Sequence, residues 1–165
     1  MKKIIGPFKE EYNFLSNFYI HNISYNGIIF VSNEHAYQSM KATNYNDMIL
    51  IASSKTPGQA KRAGNNIIKR PDWDTAKLRI MKDICRIKFK DPILKEKLIN
   101  TKDSILIEIN EWKDDFWGMY YKNGELYGKN NLGKILMEIR EENKTKPNVF
   151  YKTITRLSNI NKKDE

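Results

Sequence analysis

A long amphipathic run dominates the sequence. Asp72 or Asp74 opens it, and helical periodicity continues to about Phe89 with Leu78, Met81, Ile84 and Cys85 on one apolar stripe. Asp91-Pro92 then starts another helix, because proline suits the first helical position, where its missing N–H is not needed. That second helix offers Ile93, Leu94, Leu98 and Ile99 to a core. The chain has 165 residues, enough for one compact domain.

The flanking segments supply the rest of the fold. Ile20 to Ser24 and Ile28 to Val31 read as strands of a β-hairpin, since Asn26-Gly27 provides the positive φ values of a tight turn. Phe14-Leu15-Ser16-Asn17-Phe18, before it, is loop-like, a polar pair between apolar anchors. Ser32 or Asn33 can cap a helix through Lys41. Thr56-Pro57 caps a shorter helix, with Gly64 as its expected end. Ser104 to Ile109 is short and β-branched, a strand, and Asp114 to Lys129 is a loop or irregular hairpin. Asn130 or Asn131 leads into a last helix with Leu132, Ile135, Leu136 and Ile139 on one face. The sum is an α+β fold, a mainly helical single domain over residues 1–144 with a small antiparallel sheet. Residues 145–165 form a polar extension in which Val149-Phe150-Tyr151 could dock.

Cys85 is the only cysteine, which excludes an intrachain disulfide and makes a cytoplasmic location the expectation. On its apolar stripe it reads as a structural thiol. Two histidines and one cysteine without a cluster argue against a zinc site, and no stretch is apolar enough to span a membrane. The formal net charge of +9 favours phosphate-bearing ligands or nucleic acid where the charge is clustered, as at Lys61-Arg62, Lys69-Arg70 and across Arg86, Lys88 and Lys90. A general bias towards lysine explains it equally well.

Three places can carry chemistry. Glu34, Gln38 and Lys41 fall at i, i+4 and i+7 and project from one helical face, where a carboxylate, an amide and an ammonium can hold a hydroxyl, a water and a phosphate; an ordinary solvated face shows the same spacing. His35 points about 100° away from Glu34 around the helix. Asp114-Asp115-Phe116-Trp117-Gly118 puts an acid beside a flat apolar wall, although Trp117 can equally plug the core. Trp73 is either a base-stacking platform or the anchor of a helix start. Gly128-Lys129-Asn130-Asn131-Leu132-Gly133 offers backbone donors at a helix N-terminus.

Taken in order, these segments resemble the NADAR, or YbiA-like, family. The resemblance runs from Phe14-Leu15-Ser16-Asn17-Phe18 and Asn33-Glu34-His35-Ala36-Tyr37-Gln38 through Lys41, Ala60-Lys61-Arg62-Ala63-Gly64, Trp73, Lys88-Phe89 and Leu106-Ile107-Glu108. It ends with Asp114-x-x-Trp117-Gly118 and Lys129-Asn130-x-Leu132-Gly133-x-x-Leu136-Met137-x-x-Arg140. Met119-Tyr120-Tyr121-Lys122-Asn123-Gly124 is bulkier than the Gly-rich stretch common in the family, and the tail is longer.

The resemblance implies N-glycosidic hydrolysis on an ADP-ribosyl or phosphoribosyl nucleotide substrate: removal of ADP-ribose from modified guanine, in DNA, RNA or a nucleotide, or cleavage of phosphoribosylamino intermediates of riboflavin synthesis. Binding of ADP-ribose without cleavage is the non-enzymatic alternative. The family's active-site positions fall on Glu34, Trp73 and Asp114, with Glu34 and Asp114 as the catalytic carboxylates. Ser16, Asn17, Gln38, Lys41, Arg62, Trp117, Gly118 and Asn130 are expected around the sugar, the phosphate and the base. Neither a metal nor a cofactor is required.

Overall fold

The computed structural model of the protein describes residues 2–145. The remainder of the expected extension, with Val149-Phe150-Tyr151, lies outside them. In chain order the elements are β1 (Ile4–Ile5), a 3₁₀ turn (Glu10–Leu15), β2 (Ile20–Tyr25), β3 (Ile28–Ser32), α1 (Asn33–Ser39), α2 (Tyr45–Ala52) and α3 (Pro57–Asn66). There follow α4 (Trp73–Lys88), α5 (Pro92–Ile99), β4 (Ile105–Leu106), β5 (Tyr120–Lys122), β6 (Glu125–Tyr127) and α6 (Asn131–Thr145). The fold is α+β.

The hairpin forms as its turn chemistry demands. Asn26 and Gly27 take φ values of 51° and 78°, and Tyr25 pairs with Ile28. Its inner face sends Ile23 and Phe30 into the core, beneath α4. Behind it, α4 buries Trp73, Ala76, Ile80, Met81, Ile84 and Cys85 against α1, α6 and β2. That cover selects the stripe and leaves Leu78, expected on it, 43% exposed. Burial pushes the Cys85 thiol up to about 12, so it is inert. In α6, Leu132, Ile135, Leu136 and Ile139 are all buried, as the pattern predicts.

Other expectations need correcting. Gly64 does not end α3, which continues to Asn66. Its missing Cβ lets α3 pack closely on α1, because a methyl there would lie 2.9 Å from Gln38 Cβ. In α5, Leu94 and Leu98 enter the core, whereas Ile93 faces outward. The strand expected over 104–109 shortens to Ile105–Leu106, and it pairs in parallel with β1. The described strands therefore make three two-stranded sheets, one of them parallel. Neither β1 nor α2 was visible in the residue pattern.

Candidate active site

Residues of α1 and of the segment before it build one side of the site. Ser32 caps α1, its hydroxyl accepting from the His35 amide, and the His35 ring bonds Ser32 Oγ at 2.8 Å and the Ser54 carbonyl at 3.0 Å. Burial holds the His35 ring below its ordinary pKa. It is a structural pin between α1 and the end of α2, facing away from Glu34. The Glu34 amide donates to the Asn17 carbonyl at 3.0 Å, and Asn33 Nδ2 donates to Asn17 Oδ1 at 3.2 Å. These bonds fix residues 14–18 to the start of α1.

All seven residues of α1 are buried, so the polar row is not a solvated face. Gln38 Nε2 donates to Glu34 Oε1 at 2.8 Å. Lys41, just beyond α1, donates to Asn65 Oδ1 at 3.2 Å. Burial raises the Glu34 pKa against the opposing pull of Gln38, Lys61 and Lys41, with Asp114 adding to the rise. Lys41 is lowered to about 8, by burial first and then by Lys69.

The opposite side is irregular backbone locked by side chains. Asn110 Oδ1 accepts from the Asp114 amide and Asn110 Nδ2 donates to the Asp114 carbonyl, both at 2.8 Å. Asp114 Oδ1 accepts from the amides of Phe116 at 3.1 Å and Trp117 at 2.8 Å, closing a tight turn that aims its carboxylate. Glu108, just past β4, is gripped twice. Its amide donates to Asn130 Oδ1 at 3.1 Å, and its carbonyl accepts from the Met119 amide at 2.8 Å. Burial pushes the Glu108 carboxyl up to about 7, with Asp114 and Glu34 adding to the shift.

Between the two sides lies a cavity of about 430 Å³. Ser16, Asn17, Glu34, Gln38, Lys41, Asp114 and Trp117 from the expected set all line it. Four expected residues do not. Trp73, at the start of α4, is buried behind Tyr37, the ring centroids 5.0 Å apart, and the Lys41 ammonium stands 5.8 Å from its ring. Arg62 is exposed on α3, one helical step past Lys61, which does line the cavity. Gly118 and Asn130 stand under Glu108: a Cβ on Gly118 would run into the Glu108 carbonyl oxygen, and Asn130 also donates to the Leu106 carbonyl at 2.8 Å. They shape the backbone that presents Glu108.

The residue pattern alone does not single out Glu108 or Lys61 as lining a site. The signal for Glu108 was an acid in the apolar run Leu106-Ile107-Glu108-Ile109, where an unpaired charge is costly. For Lys61 it was helical phase, since the buried Pro57, Ala60 and Gly64 set the inner face of α3. Much of the remaining basic charge is engaged elsewhere. Arg86 bonds Glu142 at 2.7 Å, Arg70 pairs with Asp72, and buried Lys88 donates to the Ser16 carbonyl at 2.8 Å. Among the described residues no three His, Cys, Asp or Glu side chains converge as metal ligands, and no helix is long and apolar enough to cross a membrane.

The NADAR domain family matches residues 5–143, which includes every wall of this cavity. The chain belongs to the NADAR family. Among NADAR relatives, an N-glycosidase of Nostoc punctiforme is 34% identical over 139 residues, covering 81% of this chain and 86% of that protein. A riboflavin biosynthesis protein of Vibrio vulnificus is 35% identical over 136 residues, 81% of this chain but only 36% of that longer protein. The NMR structure of the Escherichia coli protein YbiA superposes with a TM-score of 0.73 at 30% identity, covering 86% of both chains.

Proposed function

We propose that this NADAR protein is an N-glycosidase, hydrolysing the bond between the anomeric carbon of a ribose and a nitrogen of the attached base. The observation that carries the reading is the convergence of Glu34 and Asp114 with the ammonium groups of Lys41 and Lys61 on one cavity. Breaking a sugar–nitrogen bond develops positive charge at the anomeric carbon, and a carboxylate beside that carbon stabilises it. Glu34 takes this role, because its bond to Gln38 holds it in one orientation and Gln38, Lys61 and Lys41 favour its charged form. Asp114 holds ribose hydroxyls or orients the attacking water. Lys41 and Lys61 receive the phosphate. The names of the Nostoc protein and of YbiA from Escherichia coli, both N-glycosidases, support the same reading.

The substrate proposed first is ADP-ribose joined to guanine, in a nucleotide or in nucleic acid, which the net charge of +9 favours. A phosphoribosylamino intermediate of riboflavin synthesis is the second reading. The cavity volume of 430 Å³ favours it, lying near the small end of the usual range of about 300–1,000 Å³. Non-catalytic binding of ADP-ribose fits less well, since a protein that only holds the ligand would not need both Glu34 and Asp114 on the cavity.

The deciding experiment supplies the protein with an oligonucleotide carrying ADP-ribosylated guanine and, separately, with a phosphoribosylaminopyrimidine, and measures released sugar. Wild-type protein releases sugar from one of them. Glu34→Gln lowers kcat by about 10²–10³-fold while Kd stays within a few fold, because the lost charge matters mainly in the transition state. Release from neither substrate overturns the N-glycosidase reading. Near-normal turnover by the variant overturns the role of Glu34.

A further inference from the structure

We propose that Glu108 is the proton donor of this site, delivering the proton that the leaving nitrogen needs as its bond to the sugar breaks. The inference rests on the N-glycosidase reading and adds a residue to it. A base joined to ribose through an unprotonated nitrogen would otherwise depart as an anion, and a positioned acid removes that barrier.

Four observations lead to Glu108. It lines the same cavity as Glu34 and Asp114 but stands across from Glu34, at the end of β4 rather than on α1. Its Oε2 is buried without a hydrogen-bond partner among the described residues, a costly state for a carboxylate in a folded domain. A protonated carboxyl carries no charge to desolvate and keeps a donor for the ligand. Its backbone is held by Asn130 and Met119, and Gly118 packs within reach of its Cγ, so the stem of the side chain is placed by the fold. The charged groups around it are Glu34 from α1, Lys61 from α3, Lys88 from α4 and Asp114 from its own loop. Burial and the two acids outweigh the lysines, leaving its pKa at about 7, suited to a general acid near neutrality. Glu34 is less suited, because its carboxylate already accepts from Gln38 and serves best as a fixed charge.

The step balances. The electron pair of the C1′–N bond passes to nitrogen, which takes the Glu108 proton, and the base leaves neutral. Water adds to the cationic C1′ and loses a proton to the Glu108 carboxylate, restoring the acid. The net change is one water consumed and one N-glycosidic bond hydrolysed.

The test compares full-length wild type with Glu108→Gln on whichever of the two substrates above the wild type cleaves, and on NAD, whose nicotinamide ring leaves neutral without taking a proton. For the first substrate we expect the variant to lose about 10²–10³ in kcat with little change in KM. The loss on NAD should be at least tenfold smaller. The wild-type kcat should fall as pH rises through about 7, because the acid form is the active one, and Glu108→Gln should lose that limb and keep only the later fall that Lys41 sets at about 8. An equal loss on both substrates marks Glu108 as structural and overturns the proposal. So does a limb near 7 that persists in the variant, which decides the matter if NAD is not cleaved. Should Glu108→Gln not fold, Glu108→Asp keeps a carboxyl on a shorter stem: a displaced limb upholds the proposal and an unmoved limb overturns it. Wild-type protein that cleaves neither nucleotide substrate defeats the N-glycosidase reading itself, an outcome distinct from normal turnover by Glu108→Gln, which defeats only this inference.

Discussion

The two sides of the cavity are built by different means. On the α1 side, helical spacing places Glu34, Gln38 and Lys41 in a row, and neighbouring helices bury them. On the β4 side, no periodicity governs Glu108 and Asp114. Their positions come from amide side chains bonded to backbone, Asn110 and Asn130, and from a glycine at a close approach, Gly118. A helix tolerates small changes by sliding side chains, whereas a loop set by backbone contacts has little room to adjust. Regular structure therefore gives one side of the site some slack, and irregular structure gives the other side its rigidity.

Trp73→Ala should have the largest effect on stability, since it removes the packing behind the α1 side. A buried tryptophan cut to alanine costs about 3–5 kcal/mol, read as a shift in denaturant midpoint. Ligand affinity of the folded fraction should stay normal. Weaker binding with an unchanged midpoint would return the indole to the role of a ligand platform and redraw the α1 side.

A paired glycine experiment tests the contrast directly. Gly118→Ala sets a methyl against the Glu108 carbonyl and 2.7 Å from Asn110 Nδ2, and should cost about 1–3 kcal/mol. Gly64→Ala instead sets a methyl against the buried Gln38 side chain, 2.9 Å from its Cβ, a clash that the helix propensity of alanine in α3 partly offsets. Its midpoint should move less than that of Gly118→Ala, while kcat falls because the displaced amide no longer holds Glu34. Equal shifts in both midpoints would erase the difference between the two sides. The smallest effect belongs to Arg62→Ala, which should leave stability within about 0.5 kcal/mol and turnover unaltered. A large loss of substrate affinity there would extend the site beyond the cavity onto the exposed face of α3.

The same contrast explains what could be read from the residues alone. The hairpin turn at Asn26-Gly27, the caps at Ser32 and Thr56, and the buried face of α6 follow from local rules and match the structure. So does the alignment of Glu34, Gln38 and Lys41. The β1–β4 pairing is invisible locally, because two residues of strand carry no period and their partners lie far apart in the chain. The family resemblance brought Gly118 and Asn130 forward as members of the site, yet a motif does not distinguish a ligand contact from a residue that holds one. Both turn out to touch Glu108, whereas helical phase would have preferred Lys61 to Arg62.

The parallel pairing of Ile4 with Ile105 and of Ile5 with Leu106 has a kinetic consequence. The helix-borne half of the cavity assembles from neighbours in sequence, where closing a loop costs little entropy. The half that carries Glu108 waits until the beginning of the chain meets a strand about a hundred residues later, a contact whose closure is entropically expensive and is recovered only when the surrounding core forms. Loop-closure entropy therefore predicts that, on refolding, turnover returns later than the helical circular-dichroism signal.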